Sequence, residues 1–328
     1  MQLRSTLRSL AAVCAGLLVA IHPGAHADNK SPIRMLVGFP AGGSSDVIAR
    51  TLAMGMQQEL GRSVVVENKP GAGGQIAAQN LKAARPDGTT IFMSNSHTVA
   101  MIPLTIKNPG FDTGKDFVPV AMVAVNPDVL VVNTEVIGKP DATLRDFADW
   151  ARANPDKGSV GVPAPASAPD FAVTILGKAL GAKLNSIPYR GDAPIIQDLL
   201  ANQIPAGIAS VGAALQVSKA GKLRIVAVNG TSRLPVLPQV PTYAEQGVAG
   251  YEDVIFNGVF APAGTPADVI SQYSEALRKV AASSEFADRL SNLGIFAHPG
   301  SAQDLQSRLK ATQKASALMV EQAGYKPQ

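Results

Sequence analysis

Gly38–Arg50 reads GFPAGGSSDVIAR. Upstream, the apolar residues Ile33, Met35, Val37 and Phe39 alternate as in a strand; downstream, Ile48, Leu52 and Met56 recur at helical spacing. Strand, Pro-Ala-Gly-Gly turn and amphipathic helix therefore follow one another without a gap. Gly42 and Gly43 clear side chains from the start of the helix. There the first backbone N–H groups lack intrahelical partners and carry the positive end of the dipole. Such a turn suits a carboxylate or a phosphate, although the same glycines would also serve a merely tight turn. Asp46 falls in the first helical turn, where an acid is favoured in its own right. A bare carboxylate there would repel an anionic ligand.

Residues 1–27 have the layout of a secretory signal peptide: Arg4 and Arg8, an apolar run from Leu10 to Ile21, then Ala25-His26-Ala27 as a small-x-small cleavage site. The apolar run falls short of the roughly 18 residues that a membrane helix needs. Cys14, the only cysteine, lies inside that run and not at its end, where lipidation would require it. Cleavage after Ala27 would release an exported, soluble chain without disulfide or thiol chemistry.

Of the side chains, 46% are hydrophobic and 16% charged, which suits a globular chain of one large or two medium domains. The 29 basic and 25 acidic residues give +4, and loss of Arg4 and Arg8 with the leader leaves +2. No basic stripe with interleaved aromatics is present, so nucleic acid is not an expected partner.

Apolar runs at 33–39, 64–68, 90–94, 118–125, 129–133, 160–162, 185–188, 206–210, 224–228 and 254–260 read as strands alternating with helices. This is the signature of an α/β protein with mostly parallel sheets. Three helical segments with no strand between them close the chain, from Pro266 to about Gln322. Capping-box patterns stand at Thr143/Asp146, Ser167/Asp170, Thr265/Asp268 and Ser301/Asp304.

Catalytic constellations are sparse. His97 and His298 are the only histidines beyond the leader, and there is no H-E-x-x-H, no cysteine ligand and no G-x-S-x-G. Neither a metal nor a cofactor is expected. The second glycine turn, Pro70–Gly74, has Ile76 where a dinucleotide fingerprint needs its third glycine, and no Gly-Lys-Ser/Thr follows it. Its glycines serve either close packing at a cleft edge or direct ligand contact. His97 is a ligand donor or a solvated loop residue, and His298 and Trp150 read as structural or surface residues.

Beyond the opening stretch, VVVENKPGAGGQIAAQNLKAARPDGTTI (64–91), KDFVPV (115–120), IPYRGDAP (187–194), KAGKLR (219–224), LPQVPT (237–242) and GVFAPAGTP (258–266) follow in order. In these segments the chain strongly resembles the Bug (TctC-like) periplasmic solute-binding receptors of tripartite tricarboxylate transporters, over essentially all of residues 28–328. The resemblance implies a type II periplasmic-binding-protein fold: two α/β domains, a hinge of crossing strands, and a ligand cleft between them. Domain one would comprise 28–125 plus 251–328, and domain two 126–250, with crossings near 118–125 and 254–260. Family members hold a ligand carboxylate with backbone amides and bridging waters from domain-one loops. The matching positions are Phe39, Ala41, Gly42 and Gly43, together with Ser96, His97 and Thr98 in the turn after the strand at 90. Domain two would close with the 163–168 loop (Ala164, Ser167, Ala168), Tyr189, Arg190, Asp192 and Ser210. Arg190 would either fork onto a distal carboxylate or pair with an acid such as Asp192.

Two departures bear on the ligand. Where the family commonly has a small polar loop, this chain has Val162-Pro-Ala-Pro-Ala-Ser-Ala-Pro169, whose three prolines lack amide donors. Where many members read Phe-Asp-Asn, it has Ile208-Ala209-Ser210, without an acid for an ammonium group. Both favour an aromatic or longer aliphatic carboxylic acid over citrate or an amino acid. The expectation is a non-enzymatic, monomeric receptor that captures a small organic carboxylate by hinge closure and delivers it to membrane transporter subunits. The alternatives are a sensing module for a membrane kinase, and an exported hydrolase using Ser44 or Ser96 with His97, which has no evident acid to orient the histidine.

Overall fold

The ten apolar runs form strands in the computed structural model, which describes residues 31–218, 221–291 and 293–328. They are β1 (Ile33–Val37), β2 (Val64–Asn68), β3 (Thr90–Asn95), β4 (Phe117–Asn126), β5 (Asp128–Asn133), β6 (Ser159–Val162), β7 (Asn185–Pro188), β8 (Ala206–Ser210), β9 (Leu223–Val228) and β10 (Ile255–Pro262). An eleventh strand, β11 (Phe296–Gly300), corrects the expectation of three closing helices with no strand between them. It pairs with β4 only at Phe296, Ala297 and Gly300, bulging at His298 and Pro299. A strand that lies on a sheet edge and contains proline has the sequence of a loop. The signal peptide, its cleavage site and Cys14 lie outside the described residues.

Two sheets result. The first runs in the order β11-β4-β10-β3-β1-β2, the second β7-β6-β8-β5-β9. Both are mixed, which corrects the mostly parallel expectation. β1 is parallel to β2 and β3, but β10 runs antiparallel to β3 and β4. In the second sheet β6 is parallel to β7 and β8, whereas β5 is antiparallel to β8 and β9. The reversals come from the strands that pass between sheets. β4 ends at Asn126 and, after Pro127 alone, β5 opens the second sheet. The chain returns between Val228 and Ile255, laying β10 against β3 and β4.

Each sheet is covered on both faces, as its near-continuous apolar strands require. Along β1, Met35 and Val37 pack with Ile48, Leu52, Met56 and Leu277, while Leu36 packs on the opposite face with Phe92, Phe260 and Leu305. In β5, Leu130 and Val132 face Phe147 and Leu176, and Val129 and Val131 face Ile195 and Leu199. Trp150 packs against the edge of the second core, where Met319 and Val320 of the last helix (Ala302–Gln322) are buried too. Full capping boxes form at Thr143/Asp146 and Ser301/Asp304. At Thr265 none forms, because its hydroxyl donates to the Pro262 carbonyl at 2.7 Å and the helix follows Pro266.

Candidate functional site

The helix Ser44–Leu60 starts after Gly43 with no side chain capping it. Its acid, Asp46, is buried and points back into the turn. It accepts the Gly42 N–H at 3.0 Å, Arg50 Nε at 2.8 Å and Asn68 Nδ2 at 2.9 Å. Asn68 Nδ2 also reaches the Phe39 carbonyl at 3.1 Å, so one carboxylate and one amide tie β1, the turn and β2 together. Burial raises the Asp46 pKa, but Arg50, the Gly42 amide and Asn68 outweigh it and hold the carboxyl at about 2. The acid is therefore ionised and its charge is balanced inside the turn. The amide N–H groups of Ser44 and Ser45 have no acceptor among the described residues, and both residues line a cavity of about 640 Å³.

His97 opens a single π-helical turn, His97–Met101, after β3. Burial lowers its pKa to about 4, so the imidazole is neutral, and Nδ1 is buried with no partner among the described residues. Two glycines of the second turn make room for this segment. A Cβ on Gly73 would lie 2.8 Å from His97 Nε2, and one on Gly74 2.4 Å from Thr98 Oγ1; both have positive φ. The Gly71–Gly74 segment packs behind the cavity and does not line it. Thr98 is fully buried there, its hydroxyl donating to the Gly73 carbonyl at 2.7 Å.

Across the cavity, Pro163, Ala164, Pro165, Ser167, Ala168 and Pro169 form one wall. The Ser167 hydroxyl is committed, donating to the Ala164 carbonyl at 2.7 Å while capping Asp170 N–H at 3.4 Å. Backbone bonds Tyr189 N–H to Val162 O (2.8 Å) and Gly191 N–H to Pro163 O (2.9 Å) fix the neighbouring loop to this wall. Tyr189 contributes its ring, for its hydroxyl donates to Asp198 Oδ2 at 2.6 Å. Burial and Asp198 push the phenol up to about 12. Arg190 lines the cavity and makes no hydrogen bond or ion pair among the described residues. Asp192 is not its partner; it accepts from the Ser210 amide (3.3 Å) and hydroxyl.

Of the residues singled out in the sequence, the cavity brings together Phe39, Gly43, Ser96, His97, Ala164, Ser167, Ala168, Tyr189 and Arg190. Ala41, Gly42, Thr98, Asp192 and Ser210 are not on its wall. Met101, Asp253, Ile255, Thr312 and Ser316 line it without having been anticipated. A signal for the last two existed. Leu305, Leu309, Thr312, Ser316 and Met319 are all buried at alternating spacings of four and three, so two small polar residues interrupt an apolar helical stripe. Among the described residues no group of three or more His, Cys, Asp or Glu could hold a metal, and no helix is long and apolar enough to cross a membrane.

Comparison with known proteins agrees with this architecture. The model of the tripartite tricarboxylate transporter family receptor, TctC, matches residues 48–325. A protein from the tcbD-tcbE intergenic region of Pseudomonas sp. (strain P51) is 34% identical over 295 residues, covering 88% of this chain and 86% of that one. The periplasmic binding protein BugD superposes with a TM-score of 0.76 at 33% identity, covering 91% of this chain and 99% of BugD. Rpa4515 of R. palustris, solved with adipate, gives a TM-score of 0.80 at 29% identity, with 91% and 99% covered. The fold is thus the type II periplasmic-binding-protein fold, two α/β domains built on the two sheets. These are binding proteins and not enzymes. With its two mixed sheets, its interposed cavity and a family match over most of its length, the chain belongs to the TctC family of tripartite tricarboxylate transporter receptors.

Proposed function

We propose that this receptor captures a small organic carboxylate in the cavity between its two sheets and hands it to a membrane transporter. The observation that carries this reading is a single cavity of about 640 Å³ with two kinds of anion donor on its wall. One is the amides of Ser44 and Ser45 at a helix N-terminus, which have no acceptor among the described residues; the other is the Arg190 guanidinium, which has no partner among them. Neutral His97 adds a hydrogen-bonding group without a charge. The adipate held by Rpa4515 supports a carboxylate as the ligand.

Closure would turn about the two passages between the sheets, Asn126–Asp128 and the return between Val228 and Ile255. It would bring a domain formed by 126–250 onto one formed by 28–125 and 251–328. Water leaves the cavity as it closes, and the composite surface so created is what the transporter would recognise. The wall opposite the helix terminus, with Pro163, Pro165, Pro169, Ala164 and Ala168, favours a ligand with an apolar body. An aromatic or longer aliphatic acid fits that wall better than citrate. The chain would act as a monomer in the periplasm, after removal of residues 1–27.

Thermal unfolding of the 28–328 protein against a panel of carboxylates and one phosphate ester tests the reading. A ligand at about a hundred times its dissociation constant stabilises the native state by roughly 2.7 kcal/mol. A shift confined to one class of acids supports the assignment. Stabilisation by the phosphate ester alone, or by no acid, overturns it.

A further inference from the structure

We infer that Asp253 makes the receptor selective for carboxylic acids that carry a hydroxyl remote from their carboxylate. This rests on the carboxylate reading of the cavity. Leading into β10, Asp253 and Ile255 face the ligand cavity, while Glu252 and Val254 face a second cavity of about 760 Å³ behind it. The alternation of extended chain produces this division. The segment is fixed in place, since the Asp253 carbonyl accepts Asn229 Nδ2 at 3.3 Å.

The two oxygens of the Asp253 carboxylate differ. Oδ1 pairs with Arg308 Nη2 at 3.1 Å and accepts the Thr312 hydroxyl at 3.3 Å. Oδ2 takes no hydrogen bond among the described residues, although the side chain is only 20% exposed. Burial raises the acid's pKa above the ordinary carboxylate value despite the opposing pull of Arg308 and Thr312, and the Arg308 ion pair is what favours its charged form. The other titratable groups lining the cavity are neutral His97, Tyr189 with its hydroxyl turned to Asp198, and Arg190, which has no partner among the described residues.

An ionised carboxylate offers acceptors only, so the open oxygen calls for a donor. A plain alkyl end would shut that oxygen away from water unpaired, which is costly. A second carboxylate would face a like charge. An ammonium at the open oxygen would lie close to the Arg308 guanidinium, a like charge beside the same carboxylate. A neutral O–H meets the requirement. The ligand's own carboxylate, repelled by Asp253, must lie elsewhere in the cavity, which sets the hydroxyl apart from it.

Calorimetric titration at neutral pH with matched acids tests this. The probes are hexanoate, 6-hydroxyhexanoate, 6-aminohexanoate and adipate, with 4-methylbenzoate and 4-(hydroxymethyl)benzoate as a second pair. The hydroxy acid of at least one pair should bind about tenfold more tightly than its parent. 6-Hydroxyhexanoate should also exceed adipate and 6-aminohexanoate. In Asp253→Val the members of each pair should come within about twofold. Equal or reversed affinities within both pairs in the unaltered protein overturn the inference, whether or not the variant folds. Hydroxyl selectivity that survives Asp253→Val does so as well. Failure of every acid to bind overturns the carboxylate reading itself, and the inference with it.

Discussion

Replacing Asp46 by asparagine removes the charge that organises the anion-facing turn while keeping its shape. Both Gly42 N–H and Arg50 Nε converge on Oδ2, and Asn68 Nδ2 donates to Oδ1. The new amide must turn its NH2 toward one set, so a donor meets a donor whichever way it lies. Asn68 cannot flip in response without losing the Phe39 carbonyl. The native acid sits at about 2 against an ordinary 3.8. That difference corresponds to about 2 kcal/mol of stability at neutral pH. A carboxylate held below its unfolded value stabilises the fold above the unfolded pKa, and this is lost as pH falls through the folded one. Roughly half of the effect should therefore be gone by about pH 3. For a chain of this size the loss at neutral pH lowers the melting temperature by about 3–4 °C. Urea unfolding of both proteins at neutral pH and at about pH 3 measures the change. A cost below about 0.5 kcal/mol at neutral pH, or one that does not shrink toward acid pH, refutes the reasoning.

Three further outcomes follow from the same geometry. Arg190→Gln should weaken carboxylate binding about tenfold in calorimetry while leaving the melting temperature of the unliganded protein unchanged, because the guanidinium has no structural partner among the described residues to lose. Gly74→Ala should destabilise by about 2–4 kcal/mol in urea unfolding, since φ is +98 and the new Cβ would lie 2.4 Å from Thr98 Oγ1. Unfolding curves across pH should also reveal Asp128. Its burial, with Asp192 nearby, raises its pKa to about 8, although Tyr251 donates to it at 3.1 Å. The native state then holds a proton that the unfolded chain releases above about pH 4, so stability from this group is lost as pH rises toward 8. Asp128→Asn should remove that loss, gaining on the unaltered protein between about pH 4 and pH 8.

Much of the fold was legible because most of its strands are buried on both faces and read as short apolar runs between turn signals; the edge strands β2 and β7 are less buried. All ten runs became strands, and Gly38–Arg50 became the strand, turn and helix that its spacing describes. β11 was not legible, because Pro299 and a bulge give an edge strand the composition of a loop. Thr265 shows the converse: a capping pattern can match while its hydroxyl goes to a nearby carbonyl. Phe39, Gly43, His97, Ser167 and Arg190 line the cavity. Gly42 and Thr98 belong to the same two turns, but the Gly42 amide is taken by Asp46 and the Thr98 hydroxyl by the Gly73 carbonyl. The direction of a residue at the end of an element depends on partners that its own spacing does not encode.

Periodicity, the order of the motifs and the absence of catalytic constellations were enough to set the class of this protein, since each is a local property of the chain. Only the tertiary structure decided what faces the ligand cavity. Thr312 and Ser316 reach it from a helix that starts more than 250 residues after the anion-facing turn, and Asp253 reaches it where the chain passes back to the first sheet. Which oxygen of Asp253 is left open follows from Arg308 and Thr312 on that helix. Long-range packing brings such groups together, and the free energy of burying a polar atom depends on neighbours that no single stretch of sequence contains.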